Sequence, residues 1–174
     1  MQLEYNDICI RNATSEDCKQ LAIWWNDGKV MAHAGFPLGL NIKAEEIEKQ
    51  IALDDDATKR RLMIVKNGIS IGEMSYYNLG DNIAEIGIKI CKTDYQEKGL
   101  GRVILSMLIR ELFKQGYQKI KLDTNLKNKR AQHVYEKLGF SKVTIRENCW
   151  KDQLGNLQSA VDYELTQDAF IAYL

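Results

Sequence analysis

At 174 residues, with 45% hydrophobic and 28% charged side chains, the chain has the size and composition of an ordinary soluble globular protein of one domain, at most with a small appendage. Lys and Arg number 24 and so do Asp and Glu; that balance argues against a dedicated nucleic-acid or membrane-surface binder, which would carry a basic excess. No apolar stretch approaches a membrane span and the start MQLEYNDICIRN lacks a signal-peptide core, so the expected location is the cytoplasm.

Ile8 and Ile10 alternate in DICIRNA and predict a first strand. TSED follows, a capping-box pattern in which Asp17 stands in place of the usual Glu after Thr14, and it opens a helix toward Trp25. NDGK reads as the end of that helix and AHAGFPLGLN as a glycine-rich loop. A second helix is predicted from Ala44 to Leu53, with Ile47 and Ile51 on its apolar side. RLMIVKNGISIGEMSYYN reads as two strands joined by Asn67-Gly68, the pair that suits a type I′ hairpin turn. IAEIGIKICK supplies a third antiparallel strand, a long helix runs from Gly101 to Gln115, and YQKIKLDT is the next strand. NKRAQHVYEKLGF predicts a helix ending at Gly139; SKVTIRENCW and AVDYEL are two closing strands around the turn KDQLGN. The order β-α-α-β-β-β-α-β-α-β-β is α+β, with a mixed sheet and helices on its faces. The cysteines, Cys9, Cys18, Cys91 and Cys149, are scattered with no C-x-x-C pair, so neither a zinc site nor a disulfide framework is expected.

Gln96-Glu97-Lys98-Gly99-Leu100-Gly101 stands directly before the long helix, where glycine is costly unless a turn, a close approach or an anion requires it. A P-loop needs G-x-x-x-x-G-K-[ST], which is not there. A dinucleotide-binding turn needs G-x-G-x-x-G, and Ile104 stands at its third glycine. What remains is Q-x-x-G-x-G, a turn whose successive N–H groups point at one place. The helix dipole and the charges of Lys98 and Arg102 add positive potential there, and a pyrophosphate is the natural guest. A plain left-handed start to a buried helix would leave the same pattern, and these residues alone do not separate the two.

AEIGIKICKTDYQEKGLGRVIL resembles motif A of the GNAT superfamily of acetyl-CoA-dependent N-acetyltransferases. NLKNKRAQHVYEKLGF resembles that family's second signature, N-x-x-A-x-x-x-Y-x-K-x-G-F, at the expected distance downstream. Together they cover residues 83–142, and IRNATSEDCKQLAIWWND is similar in layout to the family's first strand and helix. The resemblance implies one N-acetyltransferase domain over residues 1–174, with a mixed, mostly antiparallel sheet of about seven strands, a central splay, and about four flanking helices. It also implies acetyl-CoA as cosubstrate and no metal. The pyrophosphate falls to the amides from Gln96 to Arg102. The pantetheine arm falls to the strand backbone at Ile88, Ile90 and Cys91 on one side and from Leu122 to Asn125 on the other. Asn128 matches an asparagine near the pantetheine or the adenosine end, and it serves equally well as the cap of the helix behind it. The layout is similar to the branch that includes ribosomal-protein, spermidine and aminoglycoside 6′-type acetyltransferases. One departure is that Cys91 and Lys92 replace the proline-containing turn common in that branch.

Periodicity alone groups Tyr135 with Ala131, Val134 and Leu138 as a core aromatic; the resemblance instead makes it the general acid that protonates the leaving thiolate. The acceptor must be a neutral amine, and an alkylamine of pKa ~10.4 is deprotonated to about one part in a thousand at neutral pH, a penalty of roughly 4–5 kcal/mol. Glu85 and Glu73 are the candidate carboxylate bases, Glu85 preferred, and each also reads as a solvent-facing strand residue. An amide N–H after the splay would stabilise the developing oxyanion. In this family the acceptor site is built by the first two helices and their loop. Trp24 and Trp25 are expected not to share the core side of one helix, which leaves one to line the groove or to pack on the loop. His33 is a further candidate there. The expected partner is an amine acceptor, with neither nucleic acid nor membrane, and a homodimer is compatible with the family. The alternative is a non-catalytic acyl-CoA-binding sensor or interaction module of the same fold.

Overall fold

A computed structural model describes residues 1–174. The chain starts with a tight hairpin in which β1 (Gln2–Tyr5) turns at Asn6, at a left-handed φ of 52°, into β2 (Ile8–Asn12). β3 (Lys59–Lys66) and β4 (Ile69–Gly80) turn at Asn67 (φ 49°) and Gly68 (φ 75°), the left-handed pair that the Asn-Gly sequence predicts. β5 (Ile83–Ile90), β6 (Lys119–Asn125), β7 (Ser141–Lys151) and β8 (Leu157–Thr166) complete one 8-stranded sheet of order β1-β2-β3-β4-β5-β6-β8-β7. Every pairing is antiparallel except β5 with β6. The strand missing from the sequence reading is β1. It is a short edge strand whose residues are all exposed or half-buried, so it carries no apolar alternation.

The Thr14–Asp17 capping box forms, but it opens a short 3-10 turn (Ser15–Asp17) from which α1 (Cys18–Trp25) continues. Asp17 is buried and accepts both Arg11 guanidinium nitrogens, at 2.8 and 2.9 Å, together with the Thr14 N–H at 2.8 Å. Burial alone would raise its pKa; the Arg11 and Thr14 hydrogen bonds outweigh that and hold it below the usual carboxylate value. NDGK does more than end α1. Asp27 accepts from the Lys29 N–H at 2.8 Å and thereby caps a further helix, α2 (Gly28–Met31). With α3 (Ala44–Ile51), α4 (Leu100–Lys114) and α5 (Lys129–Lys137) there are five α-helices, one more than the sequence suggested.

Side-chain alternation divides the sheet between two cores. Leu62, Ile64, Met74, Tyr76, Ala84 and Ile86 point to the α4 and α5 side, where Ile104, Leu105, Leu108 and Leu112 of α4 are fully or almost fully buried. Each such side chain stabilises the fold by about 1.5–3 kcal/mol. Met63 faces the opposite side and joins Leu21, Trp24, Trp25, Met31 and Ile47 in a smaller core beneath α1 and α3. The larger core thus runs along one face from β2 to β8, and the smaller core covers the opposite face beside β3.

Candidate active site

β5 and β6 pair only over Ile83–Glu85 against Lys119–Lys121, whereas β5 stays on β4 as far as Ile90 and β6 stays on β8 as far as Asn125. The two central strands thus splay, and a cleft of about 980 Å³ opens between them. The Ile90 C=O accepts from Gln96 Nε2 at 2.8 Å and so points away from β4. By the alternation of an antiparallel ladder, the N–H and C=O groups of Ile88 also face the cleft, as does the Ile86 C=O, whereas the Ile86 N–H belongs to the last β5–β6 pairing, Glu85 with Lys121. Backbone groups of this kind need partners. An extended ligand bearing amides would supply them as a missing strand would. Cys91 lies just past this stretch but lines the smaller core instead. Its N–H donates to Ile71 O at 2.9 Å, and burial pushes its thiol up to about 12, so it offers neither a free amide nor a ready thiolate.

At the α4 end the cleft meets the glycine turn. Glu97 (φ 60°) and Gly99 (φ 73°, the N-cap of α4) both lie in the left-handed region, and this kinks the chain into a concave run of amides. The N–H groups of Glu97, Lys98, Gly99, Leu100, Gly101 and Arg102 find no acceptor in the protein. Gly101 is the most telling residue. It has helical geometry, and a Cβ there would meet nothing nearer than Val134 Cγ1 at 4.0 Å, so nothing within the fold requires a glycine. Bare amides at the start of a 15-residue helix are an anion seat. Lys98 lies outside the cleft lining with its ammonium 6.0 Å from the Tyr95 ring centre, and Arg102 stacks on Tyr173 at 4.7 Å. Arg130 of α5 closes the seat from the other side, bonding Glu97 at 2.8 Å and Gln96 at 3.3 Å.

Midway along the cleft is Tyr135. Its ring is buried, 7% exposed, with edge contacts to Phe140 at 5.9 Å and Tyr163 at 5.7 Å. Its hydroxyl has no hydrogen-bond partner within the protein and opens to the cleft. Burial, followed by the charge of Asp123 and the Tyr163 hydroxyl, raises its pKa well above the ordinary tyrosine value, so the proton stays on the oxygen. Core aromatic and cleft residue are thus one position. Asn128 accepts from the Ala131 N–H at 3.2 Å and caps α5, with its amide nitrogen left for the cleft. Asn125 is held between Gln158 and the Lys127 N–H, at 2.9 Å each.

The far end of the cleft lies on the α1–α3 face. Glu85 lines it, and partial desolvation first, then the carboxylates of Asp123 and Asp162, raise its pKa. Asp123 lines it too and is bridged to Asp162 by Arg146, at 3.1 and 2.9 Å. His33 lines it from the 3-10 turn after α2. Glu73 does not: it accepts from Trp25 Nε1 at 2.8 Å and from Lys89 Nζ at 3.3 Å. Trp24 and Trp25 are both buried, at 5% and 9% exposure, and neither lines the cleft. Both fit because α1 is covered from two directions: the sheet takes Trp25, and the loop folds back so that the Leu40 N–H donates to the Trp25 carbonyl at 2.8 Å. Asp123, Arg130, Arg146 and Trp150 were not anticipated. They come from β6, α5 and β7, and only Asp123 sits within a stretch that the sequence assigned to the cleft.

The profile of the acetyltransferase (GNAT) domain matches residues 7–141. The ribosomal protein bS18-alanine N-acetyltransferase of Haemophilus influenzae is 33% identical over 100 residues, which is 58% of this chain and 67% of that protein. Its counterpart in Escherichia coli K12 is 47% identical over 55 residues, 32% of this chain and 37% of that one, so the match spans little more than a third of that relative. In structure, the chain superposes on a spermidine N-acetyltransferase from Vibrio cholerae solved with CoA and spermine (TM-score 0.82, 21% identity, 94% of this chain and 97% of that one). It also superposes on a ribosomal L7/L12 α-N-protein acetyltransferase solved with coenzyme A (TM-score 0.83, 15% identity, 97% and 99%). The family match over most of the chain agrees with the splayed sheet and the bare amides at α4: the protein belongs to the GNAT acetyltransferase family.

Proposed function

We propose that this chain moves an acetyl group from acetyl-CoA to a primary amine, by direct attack with both substrates bound together. The observation that carries the reading is the run of unpartnered amides from Glu97 to Arg102, continuous through the splay with the free hydroxyl of Tyr135. The amides and the start of α4 hold the diphosphate, and Arg130 flanks it. Ile88, through its N–H and C=O, and Ile86, through its C=O, pair with the pantetheine amides. Bound acetyl-CoA supplies an activated acyl carbon and a thiolate leaving group. Tyr135, kept protonated by burial, donates its proton to that sulfur. Glu85, with its raised proton affinity, takes the proton of the attacking amine through water. Asp123 adds negative charge that favours the arriving cation.

A sensor that binds an acyl-CoA without turning it over has no use for a buried, unpartnered hydroxyl aimed into the cleft, and this favours the enzyme. The test has two parts. Acetyl-CoA at a hundred times its Kd should stabilise the fold by about 2.7 kcal/mol. Thiol release across polyamines, amino acids and peptide N-termini should show turnover that Tyr135→Phe removes. Stabilisation with no turnover for any amine would favour the sensor; absence of both would reject the reading.

A further inference from the structure

The acceptor end of the cleft carries charge on two opposite walls. From α2 and the turn after it come Lys29 and His33; from β5 and β6 come Glu85 and Asp123. Between them lies a floor of small residues. Ser75 and Gly87 are paired across β4 and β5, and a Cβ on Gly87 would meet only Ser75 Oγ, at 3.2 Å, with open space otherwise. Most charges around that floor are already matched. Lys89 Nζ is 3.3 Å from Glu73, and Arg146 holds Asp162 and Asp123 at 2.9 and 3.1 Å. Lys29 and Glu85 are not: neither side chain has an ion-pair or hydrogen-bond partner in the protein. Opposite charges left unmatched across an open floor are what a ligand meets on arrival, and they select by sign.

We propose that the acceptor is a primary amine carrying a carboxylate a few atoms away, with the amine toward Glu85, the carboxylate toward Lys29, and the connecting atoms over Gly87. This rests on the acetyl-transfer reading above. A polyamine of the same length sets a second cation against Lys29 and is disfavoured by like-charge repulsion. The carboxylate belongs either to a free amino acid-like molecule or to an acidic residue next to a peptide N-terminus. The chemistry at the two walls is the same.

The experiment measures acetyl-CoA-dependent thiol release with two matched series. The small-molecule series is aminocaproate, hexylamine and hexamethylenediamine; the peptide series is the dipeptide amides Ala-Glu, Ala-Gln and Ala-Lys. Within the series that turns over, kcat/KM for the anionic member exceeds that of the cationic member by about tenfold at low salt, and the gap narrows as salt screens it. Lys29→Glu reverses the order while its affinity for acetyl-CoA is unchanged. Which series responds identifies the source of the carboxylate. Turnover with equal rates, or with the cationic member preferred, overturns the inference and leaves the acetyl-transfer reading standing. Binding of acetyl-CoA without turnover of either series also overturns it. Failure to bind acetyl-CoA overturns the underlying reading instead.

Discussion

At the α4 end of the cleft the groups that face a ligand are backbone amides from Glu97 to Arg102, whereas at the α2 end they are side chains, Lys29 and His33 on one wall and Glu85 and Asp123 on the other. The difference has consequences for how each end responds to substitution. An anion seat made of amides depends on backbone shape, and side chains matter to it chiefly where a Cβ would intrude. A seat made of side chains is redefined by changing the sign of one of them. The fold can thus keep one cosubstrate end while the acceptor end is altered, and Tyr135 stands where the two meet.

Substitution at the junction has the largest expected effect. Tyr135→Phe should lower thiol release by about a hundredfold to a thousandfold with little change in Tm, because the lost hydroxyl has no partner in the protein. At the side-chain end, Glu85→Gln should lower kcat by about tenfold to a hundredfold. The pKa of Glu85 is raised, so the acid limb of the wild-type rate profile should lie above the ordinary carboxylate range and disappear in the variant. A limb that survives would remove Glu85 as the base. Beneath the acceptor helices, Asp17→Asn should cost about 1–3 kcal/mol in urea unfolding at neutral pH. The folded pKa of Asp17 lies below its unfolded value, so its contribution is present above that unfolded value, about 3.9, and is lost as pH falls through the folded one. The deficit of the variant should therefore shrink in acid. At the backbone end, Lys98→Ala should weaken coenzyme A binding by less than about threefold, since an exposed charge outside the cleft lining contributes little.

The same contrast explains what was legible in the sequence. The strand-turn-helix of β5 and α4 is local: alternation, two glycines and an apolar helix sit within one short stretch, and the amides they expose follow from backbone geometry alone. Asn67-Gly68 named its own turn for a similar reason. The acceptor end is assembled from distant segments. Arg146 finds Asp123 and Asp162 only because β6, β8 and β7 lie side by side, and Lys29 and His33 reach the same end from α2 and the turn after it. Trp24 and Trp25 could not be placed from periodicity, since one helix face cannot show that the other is covered by a returning loop. NDGK carried signals for both an end and a start, and Asp27 used it for a cap. Glu73 and Glu85 shared one local description, a carboxylate on a strand beside the cleft; which partners each found decided where they sit.

The most direct test of the account is calorimetric titration of coenzyme A into the wild-type chain and into Gly101→Ala. A Cβ at that position has room within the fold and adds helix propensity, so the variant should be as stable as the wild type or more so, by up to about 1 kcal/mol. The same Cβ projects into the approach to the amides, so its affinity for coenzyme A should fall by about tenfold or more. Equal affinity in the two proteins, or no binding by the wild type, would contradict the claim that these amides hold the diphosphate.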